Sequence, residues 1–219
     1  DLTWWDNGKK NSEVNYKNGK KEGLKTWWNA FGKKEDEMTF KNGLAEGLSI
    51  GWHESGKKRS EYPLKNGKKE GLATIWHESG KKKRETPWKN GKKEGLQTIW
   101  HESGKKYQEI HYKNGKEEGL KTIWYESGRL SEIHYKNGER EGLTTVWSKS
   151  GEKLSEVHYK EGLGTELKLY ESGRKKLLRH YKNEKREGLE TYWYESGEKE
   201  YEVHFKNGKE EGAYKEWYK

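Results

Sequence analysis

Short runs rich in threonine, isoleucine, tryptophan and tyrosine alternate along the chain with polar clusters punctuated by Asn-Gly and Ser-Gly. One unit reads Lys113-Asn-Gly-Lys-Glu-Glu-Gly-Leu-Lys-Thr-Ile-Trp-Tyr-Glu-Ser-Gly-Arg-Leu-Ser-Glu-Ile-His-Tyr135. Asn-Gly supplies the positive φ angles of a tight hairpin turn, so each unit predicts two antiparallel strands. Helix is excluded because two glycines per unit interrupt every 3.6-residue face. The rhythm is regular: Gly8, Gly32, Gly56, Gly80, Gly104, Gly128, Gly151, Gly173 and Gly197 recur every 24 residues, shortened to 23 before Gly151 and 22 before Gly173. A second glycine column, mostly Glu-Gly, runs in step from Gly23 to Gly212. Self-similarity at this period marks a repeat array.

The turns set a strand register. A two-residue turn at Ser127-Gly128 pairs Leu120 with Tyr135, Thr122 with Ile133 and Trp124 with Ser131, which gathers these side chains on one face. A single-residue bulge at Gly119 then keeps the next strand in phase. On this reading two aromatic columns share a face. One contains Trp28, Trp52, Trp76, Trp100, Trp124 and Trp147, and the other contains Trp88, Tyr112 and Tyr135. The expected fold is all-β: an elongated, twisted, single-layer antiparallel meander of tandem hairpin repeats. It forms one continuous array of about nine repeats over residues 1–219, held by aromatic cross-strand pairs and not by a buried core. Pro63 and Pro87 share a column and cannot donate to a ladder, so that position is expected to be unpaired. The unit near 160–183 is irregular, with a shortened turn, Leu169 at the tryptophan position and Leu178 at the glutamate position. It reads as a bend, a contact site or simple drift.

The motif Tyr-Lys-Asn-Gly-Lys-Lys-Glu-Gly-Leu-x-Thr-x-Trp-x-Glu-Ser-Gly-Lys resembles the MORN repeat (membrane occupation and recognition nexus). It is most similar to the bacterial variant of YwqK-type antitoxin components. The resemblance covers nearly the whole chain. It implies a non-enzymatic role as antitoxin, immunity protein or scaffold. The Gly-x-Gly that follows the second aromatic in the eukaryotic form is absent, which weakens any lipid reading.

Composition fits a repeat better than an ordinary domain. Hydrophobic residues are 28% and charged residues 38%, which taken alone suggests disorder, but aromatics reach 13%. Cys 0 excludes disulfides, thiolate metal sites and cysteine catalysis. No apolar run approaches the ~20 residues of a membrane helix. The chain begins at Asp1 without an initiator methionine, as a mature form or a fragment would. The compartment is left open, the cytoplasm being preferred to a secreted or surface setting. Histidines fall in two columns, but repeat-to-repeat spacing of roughly 9–10 Å is too wide for two ligands of one zinc. The glutamate column repeats one environment, whereas a catalytic carboxylate pair needs two different ones, so it is expected to pair with lysine across strands. No cofactor and no catalytic or metal site is expected.

Charge is the specific feature. The formal net charge is +9, and residues 51–100 supply +7 of it. The excess follows the Ser-Gly turns at Lys57, Lys58, Arg59, Lys81, Lys82, Lys83, Arg84, Lys105 and Lys106, which stacked repeats would align as one basic edge. Turn solubility and edge protection are the plain explanation for such lysines. The functional expectation is a protein partner, a toxin in the antitoxin reading, held by the aromatic columns and the basic edge. The alternatives are a structural or surface-associated scaffold that self-assembles, and a binder of an acidic surface, anionic lipid or nucleic acid.

Overall fold

The computed structural model describes residues 1–218. Among them there is no helix, so none is long and apolar enough to cross a membrane. The strands run as a single-layer antiparallel meander, in which each strand pairs with those before and after it. Four strands are broken at their Glu-Gly step, as in Lys68–Lys69 followed by Gly71–Trp76. The chain divides into two units, Asp1–Lys116 and Glu117–Lys219.

In the first unit the hairpins follow one scheme. Gly71 faces Trp88, Ala73 faces Thr86 and Ile75 faces Arg84, while Leu72 faces Pro87 and Thr74 faces Glu85. The loop between these strands is a three-residue Glu78-Ser79-Gly80 connection. It is closed by Gly80 N–H donating to His77 O at 2.9 Å and His77 N–H donating to Lys81 O at 2.9 Å. This is a type I turn completed by a glycine at positive φ, here +90°. A register shift follows at once, since Trp76 pairs with Lys82 and Lys83 is the extra residue.

The second unit corrects the register expected from Ser127-Gly128. There the turn residues are Glu126 and Ser127, because Tyr125 pairs with Gly128 and Gly128 opens the strand Gly128–Lys136. The observed partners are Gly119 with Tyr135, Lys121 with Ile133, Ile123 with Ser131, and Leu120 with His134. A slip of one residue sends side chains to the other face. The two aromatic columns therefore lie on opposite faces. We call one the tryptophan face, with Trp28, Trp52, Trp76 and Trp100 in the first unit and Trp124, Trp147 and Trp193 in the second. The other is the tyrosine face, with Phe40, Trp88 and Tyr112 in the first unit and Tyr135, Tyr159, Tyr181 and Phe205 in the second.

The single-residue bulge expected at the Glu-Gly step is also corrected. Met38 pairs with Ser49 but Phe40 pairs with Ala45, and Ile133 pairs with Thr144 but Tyr135 with Arg140. Two extra residues are accommodated, an even number that leaves the faces unchanged. The expectation for the prolines holds on one side only. Pro63 faces Leu48 of the preceding strand and Pro87 faces Leu72, whereas toward the next strand Glu61 and Leu64 have ladder partners and Pro63 has none, its carbonyl accepting the Glu70 N–H at 3.0 Å.

A thin core replaces the coreless sheet that was expected. Val14, Thr86 and Ile110 in the first unit, and Ile133, Val157 and Val203 in the second, are buried on the tyrosine face, Ile110 completely. Threonines 26, 74, 98, 122, 145 and 191 are buried on the tryptophan face. Aromatic rings meet lysine and arginine far more than one another. The ring pairs among the described residues are His101–Tyr107, Tyr159–Tyr181 and the Tyr192–Tyr201–Tyr214 stack, none between tryptophans.

Candidate partner-binding surface

Trp76 and Trp193 are each engaged from two sides. A lysine from the preceding repeat sits over the ring, Lys58 Nζ 5.4 Å from the Trp76 centroid and Lys175 Nζ 5.8 Å from that of Trp193, as Lys34 does over Trp52 at 5.2 Å. The carbonyl accepts a hydrogen bond from the preceding repeat's turn: His53 Nε2–H donates to Trp76 O at 3.1 Å and Tyr170 O–H to Trp193 O at 2.7 Å, as His77 Nε2–H does to Trp100 O at 3.3 Å. In the second unit Arg129 lies over Trp147 at 5.7 Å. Lys58 and Arg129 also pair with the glutamate column, to Glu61 at 2.6 Å and Glu132 at 3.1 Å, as Lys82 does with Glu85 at 2.5 Å and Lys106 with Glu109 at 2.6 Å. Lysine was the expected partner, but the pairing is along one strand and not across strands. Residues three apart normally point to opposite faces; the bulge between them brings both to the tryptophan face.

A second glutamate column ties repeats together at the Asn-Gly turns. Glu22, Glu46, Glu70 and Glu94 accept the backbone N–H of Asn42, Asn66, Asn90 and Asn114 one repeat on, at 2.5–2.8 Å. Glu118, Glu141 and Glu187 do the same in the second unit. Sequence reasoning gave this column only a glycine role, although the Glu before every glycine of the column but Gly164 was the signal.

The residues expected to form one basic edge go to different places. Lys57 and Lys81 donate to the next turn's carbonyls, Ser79 O and Ser103 O, and Lys105 occupies the same row. Lys58, Lys82 and Lys106 lie on the tryptophan face beside their glutamates. Arg59 and Lys83 are bulge residues, Arg59 reaching Asp36 at 3.1 Å across Gly51. Arg84 lies on the tyrosine face opposite Ile75 and Ile99.

There Arg84 joins a cup of about 250 Å³ lined by Tyr62, Lys69, Ala73, Ile75, Arg84, Thr86, Trp88 and Lys93. Lys69 Nζ lies between two rings, 4.2 Å from the Tyr62 centroid and 4.6 Å from that of Trp88. Burial, with the nearby Arg84 charge, holds the Lys69 ammonium below the usual lysine value. The Trp88 indole Nε1–H is buried without a hydrogen-bond partner. Three cations, two aromatic rings and no carboxylate line the cup, so it suits an anionic acceptor.

The irregular repeat in the second unit reverses the usual polarity. On the tyrosine face, where neighbouring repeats carry Val157, Val203 and Thr144, it places Glu166, Arg179 and, one strand on, Glu190. Glu166 and Glu190 are only 3% and 2% exposed. Arg179 donates to Glu190 Oε1 and to Tyr192 Oη, both at 2.7 Å, and its Nε lies 3.5 Å from Glu166 Oε2. Tyr192 O–H donates to Glu190 at 2.6 Å, Tyr181 O–H to Glu166 at 2.9 Å, and Ser155 O–H also donates to Glu166. Burial opposes the Arg179 charge, but hydrogen bonding to Tyr181 and the Glu190 carboxylate outweigh it and hold the group above the usual arginine value. On the tryptophan face the same repeat carries Leu167, Leu169 and Leu178 where others carry threonine, tryptophan and glutamate. Among the described residues no three histidines, aspartates or glutamates come together to hold a metal ion.

Residues 2–18, 69–90, 93–114 and 186–207 match the family described as MORN repeat variant. Those four segments carry MORN-type repeats. No curated protein matches the chain. The matched segments span the lysine and tryptophan walls of the cup, Lys69, Arg84, Trp88 and Lys93. The irregular repeat lies outside them.

Proposed function

We propose that this MORN-type protein is a non-catalytic binding protein that holds an acidic face of a protein partner against the tyrosine face of its first unit. The cup formed by Tyr62, Lys69, Arg84, Trp88 and Lys93 carries this reading, because it sets three partly buried cations around two aromatic rings and offers no carboxylate in return. The chemistry is recognition and not turnover: repeated environments supply no distinct acid and base. An antitoxin or immunity protein neutralising a toxic partner is the specific form of this reading, and it draws on the repeat resemblance.

The test compares what co-purifies with the intact chain and with a Lys69→Glu/Arg84→Glu variant prepared identically. The reading expects an acidic protein on the intact chain, lost from the variant and weakened as the screening length falls from ~30 Å to ~8 Å with added salt. The same protein on both preparations, or recovery only of nucleic acid, lipid or further copies of the chain, would overturn it.

A further inference from the structure

We infer that Tyr192 and Tyr201 form an oxidative modification site, at which a one-electron oxidant of the peroxidase and hydrogen peroxide class joins the two rings into a dityrosine staple between neighbouring strands. Tyr192 lies in the strand Gly188–Trp193 and directly faces Tyr201 of the strand Lys199–Lys206. Their rings stack with centroids 4.0 Å apart and planes inclined by 21°. A hydrogen bond between the two residues sets their hydroxyl ends side by side. The ring carbons ortho to each oxygen, where tyrosyl radicals couple, are thereby brought together, and such alignment removes much of the entropic barrier to bond formation. The ladder itself does not require this pair. The same two positions hold Ile123 and Ser131, Val146 and Ser155, and Lys168 and Leu177 in the preceding repeats of the second unit. Local departures of this kind are expected where residues serve something other than the fold.

The surroundings supply a proton acceptor and a route from the surface. Tyr192 O–H donates to Glu190 Oε1 at 2.6 Å, a separation over which a proton passes directly. An oxidised phenol is a strong acid, and this carboxylate takes the proton it sheds. Tyr214 stacks on Tyr201 at 5.4 Å and 29° and is 55% exposed, so an oxidant at the surface draws electrons from the pair along the stack. Each tyrosine gives up one electron and its phenolic proton. The two radicals join through one ring C–C bond, and the hydrogens on those carbons move to the oxygens as the rings regain aromaticity. The electrons and protons released convert hydrogen peroxide to water, and the protein is lighter by two hydrogens. With Cys 0 and a single methionine, Met38 of the first unit, the second unit has neither of the sulfur side chains that oxidants commonly attack. The link ties two strands across their turn as a disulfide closing a short loop does. Tyr181 also donates to a buried carboxylate, Glu166, but its neighbour Tyr159 lies 6.2 Å away and is tilted by 41°, so that pair lacks the alignment.

The experiment treats the dilute intact protein with a haem peroxidase and hydrogen peroxide, follows dityrosine fluorescence, and maps linked peptides by mass spectrometry. The expected product is a monomer lighter by two hydrogens, with the peptide carrying Tyr192 joined to the one carrying Tyr201. Tyr192→Phe and Tyr201→Phe each keep a ring in the stack but remove the phenol, with folding verified by thermal unfolding. Each is expected to lower the yield of the intramolecular link about tenfold or more, because the other tyrosines lack the aligned geometry. A link between Tyr159 and Tyr181 in place of this one would overturn the proposal. So would coupling only between separate chains, or an equal yield of intramolecular link in either phenylalanine variant.

Discussion

At the scale of single residues, glycines that look alike in the repeat do different work. Gly80 sits at φ +90°, which a side chain adopts at a cost of about 1–2 kcal/mol, whereas Gly128 has ordinary strand geometry and open space where a Cβ would go. Gly80→Ala is expected to lower stability by that amount and Gly128→Ala to leave it unchanged or raise it by up to about 1 kcal/mol, read as urea midpoints. Gly164 differs again, since a Cβ would lie 2.7 Å from Tyr159 Cε1 and 3.1 Å from Tyr181 Cβ. Gly164→Ala overpacks that contact, and calorimetry should show a loss of about 1–3 kcal/mol. Arg179 serves two buried carboxylates at once. Arg179→Leu should cost about 3–5 kcal/mol at neutral pH, because Glu166 and Glu190 are left buried with only the more distant Lys168 and Arg186, each at 3.6 Å. Urea unfolding at neutral pH measures that loss.

At the scale of elements, the hairpins and their period were legible because Asn-Gly, Ser-Gly and alternating Thr, Ile and Trp each carry a physical meaning. The facing was not. Glu126-Ser127-Gly128 can turn at either of its last two pairs, and the unit chosen to set register is the one whose loop is a residue shorter than its neighbours. Composition also left the core hidden, since Val14, Ile110 and Ile133 stand among polar residues in their strands and become a core only when strands pair side by side. The shortened repeat shows why meander faces persist through a deletion. From Val157–Glu166 to Lys160–Leu163 its ladder runs without the two-residue bulge of other repeats, so an even number is lost and both faces stay in phase. The loss also removes the Glu clamp, and Asn183 N–H donates instead to Gly162 O at 2.8 Å.

For the molecule as a whole, charge and aromatic content were visible in the sequence, but their pairing was a three-dimensional fact. Much of the expected basic edge is engaged by glutamates and turn carbonyls, whereas in the cup on the tyrosine face three cations gather without a carboxylate. The second unit has its own electrostatic signature. Burial raises Tyr170, Tyr181, Tyr194, Tyr201 and Tyr214 above the ordinary tyrosine value, helped at Tyr201 by a hydrogen bond with Tyr192. A raised folded pKa gives stability that is full below the unfolded value near 10 and is lost as pH climbs through the folded values. Stability should therefore fall above about pH 10, with tyrosinate absorbance and loss of strand circular dichroism rising together.

The central claim is that recognition belongs to the tyrosine face of the first unit and not to lysine in general. Its most direct test is the affinity of an acidic polypeptide, poly-glutamate, for the intact protein, for Lys69→Glu/Arg84→Glu in the cup, and for Lys58→Glu/Lys82→Glu on the tryptophan face. The two variants change net charge equally. The account predicts a loss of about tenfold or more for the cup variant and less than about threefold for the other. Equal losses, or a larger loss on the tryptophan face, would contradict it.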